Sequence, residues 1–238
     1  MKILKYNSLD STMLEAERYM KSHPHNRPFA LVANMQTNGL GKPGRQFLSP
    51  RQTGIYLTYV TQTITDFKQI NILSLSVGVV IATAIDKIYH VKVKLKWVND
   101  LILKNKKVGG ILIRIVPLSP SKISIAIGVG VNITPPIFFS KQIGGITNTY
   151  SELQKQLLID EIITQITNMF SSISSKYWIT EYRNKSFLTG KTVTLHSLNQ
   201  ETSGVVLGFQ DDGSILIQDN YNNVHRFYTG EVKKVDWT

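Results

Sequence analysis

The ten residues Gln36-Thr-Asn-Gly-Leu-Gly-Lys-Pro-Gly-Arg45 separate two apolar, β-prone runs at residues 29–34 and 54–61. Both runs predict strands, and the helix-breaking residues between them predict a loop. Three glycines let the backbone approach a ligand closely, while Lys42 and Arg45 add positive charge at the same place. We therefore predict a mobile anion-binding loop, although glycine and lysine are also ordinary residues of surface loops.

Two familiar nucleotide-binding patterns do not fit this loop. Gly39-x-Gly41-x-x-Gly44 matches the dinucleotide fingerprint, which requires a helix to open at its end. Here Gln46-Phe-Leu-Ser-Pro50 leads instead into another turn and then a strand. The Walker pattern also fails, because Gly41-Lys42 is followed by proline. The loop is thus neither a Rossmann loop nor a P-loop.

Outward from the loop, apolar periodicity predicts an α/β (α+β) fold in which helices flank a mixed β-sheet. Helices are predicted over residues 13–22, 71–88 and 151–184. Thr12-x-x-Glu15 has the pattern of a capping box, which indicates that the first helix begins there. Strands are predicted over residues 2–6, 29–34, 54–61, 93–97, 101–103, 107–116 and 122–132.

A change of pattern follows Gly190. Four short β-prone runs occupy residues 191–195, 204–210, 214–218 and 224–228, with Asp211-Asp-Gly213 at a tight turn. This spacing predicts a small C-terminal β-barrel of the SH3-like kind. For a chain of 238 residues we therefore predict two domains, residues 1–188 and 189–238.

The composition restricts the class of protein further. The chain has no cysteine, which excludes disulfides, thiolate nucleophiles and cysteine-ligated zinc. The N-terminus has no long apolar core, and the apolar residues 72–85 are too few to span a bilayer. We expect a cytoplasmic protein without membrane contact. The net charge of +11 favours anionic partners, but it also fits an ordinary basic surface.

A second candidate region combines Lys96-Trp-Val-Asn-Asp100 with Lys107-Val-Gly-Gly-Ile-Leu112. Lys107 begins a predicted strand whose next residues include two adjacent glycines. Glycine inside a strand often marks the close approach of a ligand, and a lysine beside it can meet a carboxylate or phosphate. The alternative is a hairpin with a solvated lysine, which is the better interpretation for Lys104 and Lys106.

Four candidate site segments occur in this order along the chain: Asp10-Ser-Thr12, Gln36–Arg45, Lys96–Asp100 with Lys107–Leu112, and Gly128-x-Gly130-x-Asn132. Together they resemble the biotin protein ligase family, over most of residues 5–135 and more loosely through Gly230-Glu231. The resemblance implies two steps: biotin and ATP form biotinyl-5′-AMP, and a lysine of an acceptor protein then takes the biotin.

The resemblance also implies roles for individual residues. Lys107 is the expected catalytic residue, because it can offset the repulsion between the biotin carboxylate and the α-phosphate. The expected biotin contacts are Ser11, Thr12, Met13, Gln36, Gly39, Leu40, Gly41, Lys42 and Gly110. The expected ATP contacts are Lys42, Arg45, Phe47, Asn99, Lys107 and Asn132. Asp100 is a weak candidate for holding Mg²⁺, and Thr12 and Phe47 could instead be a helix cap and a core aromatic.

The sequence departs from the family at three places in this site. The family loop usually reads Gly-Arg-Gly-Arg-x-Gly, whereas this chain has Leu40 and Lys42 at the arginine positions. A lysine is a point charge and does not replace the planar guanidinium fork. Met13 stands where many members have asparagine, which removes one polar side chain from the expected biotin pocket.

Partners and rival functions follow from the same comparison. The expected acceptor is the biotin carboxyl carrier protein of acetyl-CoA carboxylase or a related carboxylase, and the enzyme is expected to be a monomer or homodimer. The catalytic segment begins almost at Met1, so we expect no helix-turn-helix and no specific DNA binding. A lipoate–protein ligase is the nearest rival, and the basic charge keeps a nucleic-acid-binding module as a rival from another class. The C-terminal module could close over ATP or dock the acceptor.

Overall fold

The structure, a computed structural model, describes residues 1–23, 27–62, 70–120, 122–136, 142–197 and 200–235. Its elements, in chain order, are β1 (Lys2–Tyr6), α1 (Thr12–Ser22), β2 (Phe29–Ala33), β3 (Gly54–Val60), α2 (Ile70–Tyr89), β4 (Lys94–Lys96), β5 (Asp100–Leu103), β6 (Lys106–Ser119), β7 (Lys122–Asn132), α3 (Glu152–Phe170), α4 (Tyr177–Lys185), β8 (Thr192–Ser197), β9 (Gln200–Phe209), β10 (Ile215–Gln218), β11 (Val224–Phe227) and β12 (Glu231–Val235). The predicted mixed α/β fold is confirmed.

The chain divides into two compact units, residues 1–68 with 106–164, and residues 69–105 with 165–238. In the first unit, five neighbouring strands of a mixed sheet lie in the order β1-β2-β3-β7-β6. β1 and β2 are parallel, and the other neighbours are antiparallel. β2 and β3 are buried at every position, as expected of strands covered on both faces.

The helix α1 packs against this sheet through its apolar face. Met13, Ala16 and Met20 are buried, and they form one cluster with Phe29 and residues of β6 and β7. Spacings of three and four residues place these side chains on one side of the helix. The packing fixes the N-terminus of α1 beside the sheet, which positions the residues that precede it.

The second unit contains α2, α4 and the hairpin β4–β5, and α2 packs against α4. Five further strands form an antiparallel sheet in the order β11-β10-β9-β8-β12. The predicted C-terminal strands are confirmed as this antiparallel sheet, whose last strand, β12, was not predicted from the sequence, while the closed SH3-like barrel stays a prediction. The domain boundary at residue 188 stays a prediction.

Two sequence expectations about helices need correction. Residues 151–184 form two helices, because a turn at residues 171–176 separates α3 from α4. Serines in this turn bond to the local backbone: Oγ of Ser175 accepts the N–H of Tyr177, and Oγ of Ser172 donates to the Met169 carbonyl. Such local bonds compete with continuation of a helix.

The second correction concerns α2. By length and composition its Ile72–Tyr89 segment could cross a membrane, so the argument that the apolar stretch is too short is wrong. Most of this segment is buried inside the protein. A core helix that packs against neighbours on several sides is apolar around its whole circumference, because most of its surface is kept from water, as it is in a membrane-spanning helix.

Candidate active site

Lys107 is the second residue of strand β6 and is half-buried. A Cβ atom on Gly110 would lie 3.5 Å from both Cε and Nζ of Lys107, so the lysine side chain folds back over this glycine. The same Cβ would lie 3.7 Å from Cε2 of Phe47. Gly110 therefore leaves a bare patch of strand between an ammonium group and an aromatic ring.

The glycine-rich loop is a hairpin that extends from Gly39 to Phe47. The N–H of Phe47 donates to the Gly39 carbonyl at 2.8 Å, and the N–H of Gly41 donates to the Arg45 carbonyl at 3.1 Å. Gly44 has φ of +74°, a conformation that favours glycine at the tip. The N–H of Gly41 is thus engaged inside the hairpin, and the expected closure of this group over an anion requires the hairpin to open.

Gly39 is buried at the base of the hairpin. A Cβ there would overlap the Phe47 carbonyl oxygen and would lie 2.7 Å from Nε2 of Gln36 and 2.9 Å from Oγ of Ser49. No residue with a side chain fits this position without moving backbone. The glycine is therefore required by close packing, whereas Gly44 is required by its dihedral angle.

Gln36 connects this hairpin base to the start of α1. Its Oε1 accepts from the N–H of Thr12 at 2.7 Å and from the Thr12 hydroxyl at 3.1 Å, while its Nε2 donates to Oγ of Ser49 at 2.7 Å. Ser49 in turn donates to the Phe47 carbonyl at 2.9 Å, and Thr58 donates to the Thr12 hydroxyl at 2.9 Å. This chain of hydrogen bonds fixes the orientation of the Gln36 amide.

The predicted N-cap is displaced by one residue. Ser11, and not Thr12, caps α1: its Oγ accepts the N–H of Met13 at 3.3 Å. The predicted capping box does not form, because the N–H of Thr12, which Glu15 would accept, donates to Gln36 Oε1 at 2.7 Å. The hydroxyl of Thr12 is free of a capping role and belongs to the Gln36 network.

Phe47 lies on the face of the sheet above the paired glycines Gly110 and Gly130. A Cβ on Gly130 would overlap the ring and would lie 2.5 Å from Cε1. The ring also meets Tyr56 edge-on, with centroids 6.4 Å apart. Phe47 is half-buried, so part of the residue remains exposed to solvent although its ring packs against the sheet.

Leu40 and Met13, two of the departures from the family pattern, both contact apolar side chains. Met13 is 2% exposed, and its Cε would lie 2.8 Å from a Cβ on Gly128. Leu40 is partly buried and packs against the same cluster as Met13. An arginine at position 40 would remove apolar contacts that the leucine makes here.

Asn99 and Asp100 belong to the second unit, whereas the other predicted site residues lie in the first. Asn99 lies at the tip of the β4–β5 hairpin, and Asp100 begins β5 opposite Lys96. The hairpin is held by the indole N–H of Trp97, which donates to the Gly213 carbonyl at 3.1 Å. Among the described residues, no group of three or more His, Cys, Asp or Glu side chains could hold a metal ion.

Sequence reasoning missed three contributors to this site. Ser49 and Thr58 complete the network around Gln36, and Gln142 and Gly144 bond to the backbone of Lys107. A serine or threonine within a predicted strand or loop carries no local signal of such a role. The adjacent pair Gly144-Gly145 was the available signal for the third contributor, since paired glycines often mark a close backbone approach.

The sequence from the end of β1 to the end of β7 matches a known family: residues 6–132, more than half of the chain, fit the Biotin/lipoate A/B protein ligase family. This chain belongs to that family. The matched residues include the glycine hairpin, Lys107 and Asn132.

Curated relatives of this family member include bacterial and plant proteins. The chain is 25% identical over 203 residues to the bifunctional ligase/repressor BirA of Salmonella typhimurium and 24% identical over 200 residues to that of Escherichia coli. Each alignment covers 80% of this chain and 62% of the relative, so the chain spans less than two thirds of their length. Biotin–protein ligase 2 of Arabidopsis thaliana is 23% identical over 230 residues, with 85% of this chain and 68% of the relative covered.

Solved structures share the fold of this family member. A biotin protein ligase from Aquifex aeolicus in complex with biotin and ATP superposes with a TM-score of 0.79 at 23% identity, covering 98% of this chain and 97% of the other. A biotin protein ligase from Leishmania major in complex with biotinyl-5-AMP gives 0.65 at 21% identity, covering 95% and 98%. At this level of identity the likeness establishes the fold.

Proposed function

We propose that this protein is an ATP-dependent biotin–protein ligase. In the first step a carboxylate oxygen of biotin attacks the α-phosphorus of ATP, which forms biotinyl-5′-AMP and releases pyrophosphate. In the second step the neutral amine of an acceptor lysine attacks the acyl carbon, which forms an amide and releases AMP and a proton. The proposal is carried by Lys107, whose ammonium group is folded over Gly110 beside the Phe47 ring.

Lys107 supplies the charge that the first step requires. A carboxylate and a phosphate repel each other as they approach, and negative charge grows on the phosphate oxygens in the transition state. A lysine held beside a bare strand can stabilise that charge from a fixed position. Its half-burial lowers the local dielectric and strengthens this interaction relative to bulk water.

The Gln36 network suits the polar end of biotin. A ureido group presents a carbonyl acceptor and N–H donors, and a pocket for it combines a few hydrogen-bonding groups with apolar walls. Thr12 and Gln36 provide such groups, and the cluster around Met13 and Leu40 provides the apolar wall. Since Ser49 and Thr12 hold the Gln36 amide in place, little rotational freedom is lost on binding.

The aromatic ring of Phe47 suits a nucleobase. The ring is held in place above Gly110 and Gly130, and adenine would stack against its exposed part. Lys42 and Arg45 on the hairpin would then face the phosphates, and Mg²⁺ would enter with ATP. In this proposal the substrate phosphates and water supply most of the Mg²⁺ ligands, as is usual for nucleotide-bound Mg²⁺.

The acceptor in this proposal is the biotin carboxyl carrier protein of acetyl-CoA carboxylase or a related carboxylase. The enzyme acts in the cytoplasm as a monomer or homodimer. The basic character of the chain, with a net charge of +11, favours encounter with an acidic acceptor and with ATP.

Pyrophosphate exchange tests the proposal directly. Biotin should promote incorporation of labelled pyrophosphate into ATP, and lipoate at the same concentration should not, because a dithiolane offers no ureido group to Thr12 and Gln36. Exchange that depends on lipoate instead would assign the protein to the lipoate branch of its family. Exchange with neither acid, together with salt-dependent binding to generic DNA, would favour the nucleic-acid-binding alternative.

A further inference from the structure

We propose that Asn132 is a positioning residue for Lys107, which it holds through a five-residue segment, Gln142–Ile146, that we name the strap. This inference rests on the proposed function, because it concerns the lysine assigned there to charge stabilisation. It gives Asn132 a role in the chemical step that is distinct from the nucleotide contact expected from the sequence.

The strap holds Lys107 by both of its backbone polar groups. The N–H of Lys107 donates to the Gln142 carbonyl at 2.8 Å, and the Lys107 carbonyl accepts the N–H of Gly144 at 2.9 Å. The strap runs parallel to the start of β6 at this point, through a bridge between Lys107 and Ile143. Lys107 lies next to the end of its strand, where fraying would be expected, and the strap therefore fixes its backbone there.

Asn132 holds the strap from the end of β7. Its side-chain Nδ2 donates to the Gly144 carbonyl at 3.0 Å, and its own carbonyl accepts the N–H of Ile146 at 3.0 Å. Gly144 thus links the two residues: its carbonyl accepts from the Asn132 side chain, and its N–H donates to the Lys107 carbonyl. Asn132 is 8% exposed, so this bond is shielded from competing water.

The glycines of the strap allow it to lie this close to the sheet. A Cβ on Gly145 would lie 2.5 Å from the Pro135 nitrogen and from the Thr134 carbonyl carbon, which are backbone atoms that cannot move separately. A side chain at this position would therefore displace the strap. Because the strap carries both hydrogen bonds to Lys107, its displacement would shift the lysine.

The two roles of Asn132 predict different kinetics. A residue that only contacts the nucleotide changes KM for ATP, whereas a residue that positions Lys107 changes kcat. A displacement of about 1 Å in a reacting group can lower a rate by about 100-fold. We therefore expect a loss in kcat of roughly tenfold to 100-fold with KM for ATP changed by less than about twofold.

The test uses the full chain and biotin-dependent pyrophosphate exchange. Asn132→Asp keeps the size of the side chain but turns an acceptor toward the Gly144 carbonyl, and Gly145→Ala displaces the strap without touching Asn132. Asn148→Asp, at an exposed position beyond the strap, makes the same chemical change as a matched control. We expect Asn132→Asp and Gly145→Ala to lower kcat, and Asn148→Asp to behave as the wild type.

Amide hydrogen exchange provides a readout that does not depend on activity. The N–H groups of Lys107 and Gly144 should lose protection in Asn132→Asp, while those in the middle of β7 keep theirs. Unchanged protection at these two amides, or a raised KM for ATP with unchanged kcat, would overturn the inference. Absence of exchange activity in the wild-type protein would instead reject the proposed function, and the hydrogen-exchange result would still decide the role of the strap.

Discussion

The ring of Phe47 lies directly on Gly130, so closely that a Cβ at position 130 would be 2.5 Å from Cε1 of the ring. Phe47 also closes the base of the glycine hairpin, because its N–H donates to the Gly39 carbonyl. The small size of Gly130 therefore determines where the hairpin rests on the sheet.

This contact predicts strong coupling between the two positions. Gly130→Ala should destabilise the protein by about 1–3 kcal/mol, because the added methyl group overpacks the ring. In a Phe47→Ala background the same substitution should be far less harmful, with a coupling energy of about 1 kcal/mol or more in urea denaturation. Gly128→Ala is the control, since the closest neighbour of its Cβ would be the flexible end of Met13 at 2.8 Å, and Leu112 would lie at ordinary contact distance. Additive effects of Gly130→Ala and Phe47→Ala would show that the ring does not rest on the strand.

Removal of the Lys107 charge should abolish the first chemical step. Lys107→Met keeps the aliphatic stem and loses the ammonium group, so biotin-dependent pyrophosphate exchange should fall by at least about 100-fold. Lys106→Met removes the neighbouring exposed lysine and serves as the matched control. Equal losses in the two variants would mean that general positive charge, and not the placement of Lys107 over Gly110, supports the reaction.

Arginines in the hairpin should improve retention of the adenylate. The double variant Leu40→Arg, Lys42→Arg adds guanidinium forks that hold phosphate better than a leucine and a point charge. It should release biotinyl-5′-AMP more slowly than the wild type, and it should lose some stability because Leu40 packs on an apolar cluster. The control variant Leu40→Gln, Lys42→Gln loses the packing of Leu40 without gaining guanidinium groups, so it shows the effect of the packing loss alone. If the arginine variant released biotinyl-5′-AMP at the wild-type rate, the residues at positions 40 and 42 would not limit retention of the adenylate.

The start of α1 should be stabilised by a charge pair that acid removes. Hydrogen bonds from Arg18 lower the pKa of Asp10 from 3.8 to about 2. Because the folded pKa lies below the unfolded one, the stabilisation is complete above about pH 4 and is lost as the pH falls toward 2. Asp10→Asn should therefore lower the free energy of unfolding, measured by urea denaturation at pH 7, by no more than about 1 kcal/mol for so exposed a pair. This deficit should shrink below pH 4. A deficit that is equal at pH 7 and pH 3 would assign it to a cause other than the Asp10 charge.

Two buried tyrosines should respond in opposite directions to the same substitution. The hydroxyl of Tyr56 donates to the Pro50 carbonyl at 2.8 Å, and burial raises its pKa to about 12. The hydroxyl of Tyr182 has no hydrogen-bond partner within the described part of the chain, and burial raises its pKa well above the usual value. Tyr56→Phe should therefore destabilise by about 1 kcal/mol, and Tyr182→Phe should be neutral or stabilising. Thermal denaturation of the two variants checks the sign, and a clear loss of stability in Tyr182→Phe would reveal a partner for its hydroxyl.

The order and spacing of short motifs in the sequence determined the family and most strands and helices. Alternating or continuous apolar runs identify strands such as β3 and β7, because the side-chain period of a strand is visible locally. The Gly-rich segment and Lys107 were recognised for the same reason: their residue types carry chemistry wherever they lie. Apolar periodicity did not predict the turn between α3 and α4, although the serines at residues 171–175, which bond to the local backbone there, are visible in the sequence.

Only the tertiary structure decided which of these residues touch. Gly39 and Gly130 must be glycine because distant backbone and ring atoms occupy the space of a side chain, and no local pattern records that. Ser49, Thr58 and the strap join the site through hydrogen bonds between segments far apart in sequence, as does the link from Asn132 through Gly144 to Lys107. Sequence thus determined the chemical groups available, and packing of the chain onto one sheet decided their distances.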